Sequence, residues 1–487
     1  MGKKKKSGSK KKGAGASTGG ASTVQTIKLQ GHQGSVLCLA YPQQPPPLAS
    51  SSILLSGSED QTARLWDLKQ QRAALCIPCD GAVTAVSFEP TRGNTINQSG
   101  DAEDNTNKES LGEHPLFAKD FTVFLAVDNK VLGYDLRKAK SPIVHFGDSL
   151  DDGAGFSVET GSTDEINQVA FSYGQGADIT PQSPRRKGLA KTESNSDCPW
   201  LAAADDAGQI RIASHWRKNP IPSELAAEGP HESITVLEHE QTSSATAASM
   251  ITCAVFKPAP PLTFPGGKNT STSNTSSILA TGGTDCMVCL WDVKRPKKCL
   301  ARQVFELTSS GANQVCNPPM INALAFGNHG SLLAAGLGDG SLAVFSVPKN
   351  PKALVPLLRM DEAHTGAIAN VHFPQWAPSN QNDSSRGSTD RLLLTAGNDS
   401  MIVAWDLGNV VDEAGYDPAT LFASGMKLPK SVEGDIVPTR TLFAISHQVG
   451  KPNWLLATTS QDTIQPATIF VADTSNDITG YRVPLAT

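Results

Sequence analysis

The chain has 487 residues, of which 39% are hydrophobic and 18% are charged, and its formal net charge at pH 7 is -5. This length exceeds what one ordinary hydrophobic core organises, so it predicts either several domains or one large repetitive architecture. No stretch approaches the roughly 18 consecutive apolar residues that a membrane span requires. These features exclude a helical membrane protein and direct the search to internal repeats.

The N-terminal segment carries a charge opposite to that of the remainder. It has no acidic residue but seven lysines, Lys3, Lys4, Lys5, Lys6, Lys10, Lys11 and Lys12. Such a block is typical of a disordered tail that contacts RNA or another polyanion, directs nuclear import, or simply aids solubility. Because it lacks the apolar core of a signal peptide, we expect an intracellular protein of the nucleus and/or cytoplasm.

One phrase recurs along the chain: an apolar strand, a small-residue turn containing Asp, and a second apolar strand that ends in an aromatic residue and Asp. It is clearest in LLSGSEDQTARLWD (54–67), ILATGGTDCMVCLWD (278–292) and LLLTAGNDSMIVAWD (392–406). In each, the turn Asp precedes the Trp by six residues. Weaker copies occur at 124–135, 201–213, 332–345 and 470–483. Each copy follows another apolar strand, which predicts sheets that bury both faces by stacking around an axis.

These phrases resemble the WD repeat, and the resemblance to the WD-repeat family covers about residues 24–485. The resemblance extends to one branch of that family through the segments 31–40, 164–172, 201–212, 392–406, 453–461 and 468–483. It implies an all-β, seven-bladed propeller at 23–487, with a disordered basic tail at 1–22 and long loop insertions. We expect residues 23–30 to complete the last blade, and blades near 31–67, 80–137, 164–216, 250–293, 320–347, 364–407 and 447–485.

Polar, low-complexity insertions lengthen most of the repeats. Five fall between the first and second strands of a blade and should crowd one face of the propeller: 43–52, 91–119, 174–199, 259–276 and 375–390. Two more, at about 302–318 and 408–444, are predicted between blades and therefore on the opposite face. Surface loops tolerate such lengthening because each doubling costs only about 0.6 kcal/mol. In one insertion, Ser183 before Pro184 resembles a proline-directed phosphorylation site.

The family resemblance also implies a polar network that orients the blades and catalyses nothing. A buried Asp requires a hydrogen-bond partner for each of its lone pairs, which such a network supplies. The network residues are His32, Ser56, Asp60 and Trp66 in the first blade, Thr281, Asp285 and Trp291 in the fourth, and His364, Thr395, Asp399 and Trp405 in the sixth.

No catalytic motif emerges from the sequence, so we expect no enzymatic activity, no cofactor and no bound metal. Two Cys-x-x-Cys pairs, Cys76 with Cys79 and Cys286 with Cys289, have the spacing of zinc knuckles. They belong to different, non-adjacent blades, and alternate residues of a strand face opposite sides. We therefore interpret these cysteines as reduced core and loop thiols.

Some WD-repeat propellers are substrate receptors that bind the adaptor of a cullin-RING ubiquitin ligase through an Arg that follows the aromatic-Asp pair by two positions. Here Tyr134, Asp135 and Arg137 match that pattern, whereas Lys69 and Lys294 occupy the Arg position in other blades. The resemblance implies a monomeric propeller that joins the adaptor to an unknown client protein. The alternatives are a solvated strand-end Arg, and a nuclear or nucleolar assembly scaffold whose lysine tail binds RNA.

Overall fold

The computed structural model describes residues 24–42, 53–89, 122–136, 142–143, 155–158, 160–172, 200–213, 234–239, 249–258, 277–296, 299–306, 318–348, 352–374, 376, 389–407, 440–458 and 467–483. Within these ranges, 28 strands form seven four-stranded antiparallel sheets. A 3-10 turn spans Thr389–Arg391. The described ranges hold no helix with the length and hydrophobicity that crossing a bilayer demands.

Each sheet is one blade, and its strands run in chain order from the centre of the molecule outward. The first four blades are β2–β5 (Val36–Ala40, Ile53–Ser58, Thr62–Asp67, Arg72–Pro78), β6–β9 (Val83–Phe88, Thr122–Val127, Lys130–Asp135, Gly155–Val158), β10–β13 (Ile166–Phe171, Leu201–Asp205, Gln209–Ala213, Ile234–Glu238) and β14–β17 (Ile251–Phe256, Ile278–Gly283, Met287–Asp292, Cys299–Val304).

The remaining three blades follow the same plan, except that the last takes its outer strand from the other end of the chain. They are β18–β21 (Ile321–Phe326, Leu332–Leu337, Leu342–Ser346, Val355–Met360), β22–β25 (Ile368–His372, Leu392–Gly397, Met401–Asp406, Arg440–Ser446) and β26–β28 (Pro452–Ala457, Thr468–Asp473, Asp477–Arg482) with β1 (Gln25–Gln30).

The inner strands form a closed ring, because each contacts the inner strands of both neighbouring blades and β2 contacts β26. The hydrophobic core lies between blades. Leu55 and Leu65 of the first blade, for example, share a buried cluster with Val123 and Leu125 of the second. This arrangement confirms the predicted seven-bladed β-propeller.

The first strand of the chain completes the last blade. β1 pairs antiparallel with β28, and Leu29 lies opposite Ile478. Leu29 is fully buried and packs in one cluster with Phe470 and Trp66. Residues 24–30 therefore connect the last blade to the first, whereas residue 23 and the lysine tail lie outside the described residues.

Every inner strand contains a β-bulge after its first residue. A bulge leaves the extra residue unpaired in its own sheet. In five blades this residue donates a side-chain hydrogen bond to a carbonyl in the next inner strand. The pairs are Thr84 with Ile166, Asn167 with Ile251, Thr252 with Ile321, Asn322 with Ile368, and Asn453 with Val36.

Two sequence-based boundaries were wrong. The predicted blade ranges end near the third strand in the first six blades, whereas each of these blades has a fourth strand beyond it. These outer strands are partly exposed and their apolar pattern is weak, as in β21. The insertion assigned to 408–444 does not lie between blades, because residues 440–446 form β25, the outer strand of the sixth blade. The segment between Asp406 and Arg440 therefore joins β24 to β25 within the sixth blade.

Candidate protein-interaction site

The polar network of the first blade joins its inner loop, second strand and third strand. His32 Nδ1 lies 2.9 Å from Asp60 Oδ2, and His32 Nε2 lies 2.8 Å from Ser56 Oγ. The indole Nε1 of Trp66 donates to the same hydroxyl at 2.8 Å. Because β3 and β4 are antiparallel neighbours, these side chains meet on one face of the sheet.

The sixth and fourth blades repeat this geometry. His364 Nε2 lies 2.7 Å from Thr395 Oγ1, which also accepts from Trp405 Nε1 at 2.9 Å, and His364 Nδ1 lies 3.0 Å from Asp399. In the fourth blade, His239 lies 2.6 Å from Asp285 and 2.8 Å from Thr281, and Trp291 donates to Thr281 at 2.8 Å.

Sequence reasoning missed His239 and the variant network of the last blade. His32 and His364 each precede their inner strand by four residues, whereas an insertion separates His239 from Ile251. In the last blade, His447 lies 2.5 Å from Asp473 and 2.7 Å from the Tyr481 hydroxyl. A tyrosine replaces the tryptophan there, so the spacing of the other blades gives no signal.

The groups of the first-blade network satisfy one another. Burial alone would raise the pKa of Asp60, but hydrogen bonds from Thr62, the Gln33 amide and His32 outweigh it and hold the pKa below its usual value of 3.8. Burial lowers the pKa of His32, which favours the neutral imidazole. Since these groups are occupied with each other, their geometry is that of a structural brace between strands.

The aromatic-Asp motif proposed for the adaptor lies at the end of β8, between the first two blades. Tyr134 and Leu136 are only 1% and 2% exposed and belong to the cluster shared by these blades. Burial raises the pKa of Tyr134. Asp135 is half-buried and pairs with Thr122 of β7. Arg137 lies outside the described residues, as do Ser183 and the seven tail lysines.

The Asp of the motif has a defined role in the two blades that carry Lys at the Arg position. Asp67 Oδ1 accepts from the Lys69 amide at 2.9 Å, and Asp292 Oδ1 accepts from the Lys294 amide at 3.1 Å. A carboxylate that binds the amide two residues later fixes a tight turn. The aromatic-Asp pair therefore sets the backbone from which the basic side chain emerges.

A cavity of about 290 Å³ lies among the inner strands, toward the face where these strands end. Its wall includes Tyr41, Ser87, Val255, His372 and Trp454. The turns between third and fourth strands lie on this same face, because antiparallel strands alternate direction in each blade. The cavity mouth and the Tyr134–Leu136 strand end thus belong to one face of the ring.

Comparison with known proteins identifies the repeat. The family model described as "WD domain, G-beta repeat" matches residues 22–67 and 244–292, which hold strands of the first and fourth blades. The chain therefore carries WD repeats. This WD-repeat propeller is 23% identical over 466 residues to "WD repeat-containing protein 53 homolog" of Dictyostelium discoideum, across 93% of this chain and 92% of that protein. The branch of the family that the sequence resembles is that of WD repeat-containing protein 53. The similarity to this homolog confirms that resemblance.

Two further relatives match the WD-repeat propeller over short segments. "WD repeat-containing protein 18" of Rattus norvegicus is 38% identical over 64 residues, which is 13% of this chain and 14% of that protein. "Ribosome biogenesis protein BOP1 homolog" of Brugia malayi is 34% identical over 68 residues, which is 14% of this chain and 10% of that protein. WD-repeat propellers typically act as protein-interaction scaffolds, and this chain has the fold of that class.

Proposed function

We propose that this propeller is a substrate receptor of a cullin-RING ubiquitin ligase in the nucleus and/or cytoplasm, bound to the adaptor through Tyr134, Asp135 and Arg137. The strongest support is the strand end at β8, where Tyr134 and Leu136 are buried. A rigid backbone on either side of Asp135 reduces the entropy that ordering the following Arg would cost on binding.

The identity of the basic residue distinguishes this blade from the others. An Arg offers a planar fork of five donors to carboxylate or carbonyl groups, whereas the more strongly hydrated Lys offers a single charged point. Lys69 and Lys294 follow equivalent aromatic-Asp pairs. They therefore provide matched controls in the same chain, because each is a cationic residue two positions after the Asp.

The test is capture of a purified cullin adaptor by the full-length protein and by three variants. Arg137→Ala should lose about 2 kcal/mol of binding free energy or more, roughly thirtyfold in Kd. Lys69→Ala and Lys294→Ala should bind as wild type does. A wild-type protein that never captures the adaptor contradicts the receptor function, whereas equal binding by Arg137→Ala contradicts only the assigned site.

A second candidate function is an assembly scaffold of the nucleus or nucleolus that contacts RNA through the lysine tail. The observation that favours it is the seven-lysine tail, together with the local similarity to a protein named for ribosome biogenesis. Lysine contacts with phosphate release counterions, so such binding weakens steeply with salt. Salt-sensitive copurification with RNA that disappears on deletion of residues 1–12 supports this candidate, and RNA binding that survives the deletion contradicts it.

A further inference from the structure

Three sulfur-containing side chains line one small void in the fourth blade. Met287 and Cys289 belong to β16, and Cys299 belongs to β17. The void has a volume of about 10 Å³, and Trp291 and Arg302 complete its wall. This volume is about that of one water-sized sphere, so it has room for a single ion.

Strand geometry explains why these side chains converge. Met287, Cys289 and Trp291 are alternate residues of one strand and therefore share a face. Across the sheet, Cys289 lies opposite Arg302, and a register shift next to Trp291 brings Cys299 opposite that Trp. The bulge sets Cys299 diagonally beside Cys289, and both side chains line the void.

We propose that Met287, Cys289 and Cys299 form a binding site for a soft monovalent metal ion, Cu(I), between β16 and β17. Thiolate and thioether ligands select Cu(I) over hard cations. Zinc normally takes four nitrogen, sulfur or carboxylate ligands. The described residues contain no grouping of three or more His, Cys, Asp or Glu side chains suited to a metal.

The charges and burial around the void suit this ion. Two thiolates around Cu(I) leave one net negative charge, and the Arg302 guanidinium beside Cys289 is placed to neutralise it. Asp285 is the nearby negative group, and His239 already binds it at 2.6 Å. Met287 and Cys289 are each 3% exposed, whereas Cys299 is half-buried and provides access from solvent.

Binding is a proton-for-metal exchange with no change of oxidation state. Cu(I) forms two Cu–S bonds as the thiols release two protons, and the Met287 thioether donates a lone pair.

The experiment is an anaerobic titration of the reduced full-length protein with Cu(I), in competition with the chromogenic chelator bicinchoninate. Cys289→Ser and Cys299→Ser should each lose one equivalent of tightly bound Cu(I) relative to wild type. Cys286→Ser is the matched control, because Cys286 lies one residue before Met287 in the turn and does not line the void. It should retain that equivalent.

The chain has nine cysteines, and other thiols can also bind copper. The test therefore compares the copper bound by each variant with that bound by wild type, and does not use the total amount. Met287→Leu keeps both thiols and the apolar volume, and it should weaken binding while thermal unfolding shows an intact fold. X-ray absorption of the wild-type complex should show a sulfur-only shell around copper. Equal stoichiometry in wild type and both Ser variants, a shell dominated by nitrogen or oxygen, or conversion of Cys289 and Cys299 to a disulfide on copper addition would overturn the proposal.

Discussion

The side-chain amide of Asn453 donates to the backbone carbonyl of Val36 at 2.8 Å, across 417 residues of sequence. It also donates to Ser35 Oγ at 3.2 Å. The bond joins the inner strands of the last and first blades, while β1 joins the same two blades at the outer edge. The ring is thus closed both at its inner strands and at its outer strands. The inner bond is the same kind of bond that four other blades make to the next blade along the chain.

Replacing Asn453 with Ala should weaken the ring at its closure. The change removes both donated bonds, which we expect to lower the free energy of unfolding by about 1–2 kcal/mol. Urea denaturation followed by tryptophan fluorescence measures this loss. Lys451→Ala is the control, because that side chain is exposed just before β26. If both variants unfold at the same urea concentration, closure does not depend on this bond.

The Asp60 carboxylate should be a main stabilising group of the first blade. Asp60→Ala deprives His32, Thr62 and the Gln33 amide of their acceptor, which we expect to cost about 1–3 kcal/mol. Because the folded-state pKa of Asp60 lies below 3.8, its contribution is present above pH 3.8 and is lost as the pH falls through the folded value. Glu59→Ala, in the same turn but exposed, should be nearly silent in chemical denaturation.

Local spacing made the blades predictable. The turn Asp and the Trp of one hairpin, such as Asp60 and Trp66, are fixed to each other by a single antiparallel register. Their six-residue separation therefore survives any insertion elsewhere in the blade. A histidine that comes from a different segment has no fixed separation from the Asp and Trp of the hairpin. His239 was not predicted because an insertion separates it from its inner strand.

The outer strands were harder to assign because they are held by backbone pairing with little burial. The run RTLFAIS of β25 is apolar enough to be a strand, but a long insertion separates it from β24. Nothing in the sequence indicates which blade it joins. In the structure, backbone pairing such as that of Ile402 with Ile445 shows that this strand joins the sixth blade.

Removal of β1 should destabilise the propeller, whereas removal of the lysine tail should not. Deleting residues 1–30 exposes the edge of β28 and the cluster around Phe470, so we expect a clear fall in the melting temperature relative to deletion of 1–20. Leu29→Ala should cost about 2–5 kcal/mol, as a cavity in a core does. Thr26→Ala, on the exposed side of β1, is its control. Equal melting of the two deletions would show that β1 does not contribute to closure.

Protonation of His372, which lines the central cavity, should contribute to the pH dependence of the unfolding free energy. Burial lowers the pKa of His372 from 6.5 to about 4, and the ring hydrogen-bonds to the backbone of Ala457. As the pH falls below 6.5, His372 becomes protonated in the unfolded chain but stays neutral in the folded chain. The free energy of unfolding therefore decreases progressively until about pH 4. His372→Gln keeps an amide donor without a titrating group and should flatten the fall in unfolding free energy over that interval. His329→Gln makes the same substitution at an exposed position in the turn after β18 and serves as the control. Chemical denaturation at several pH values measures both slopes, and a His372→Gln profile as steep as wild type would assign the acid sensitivity to other groups.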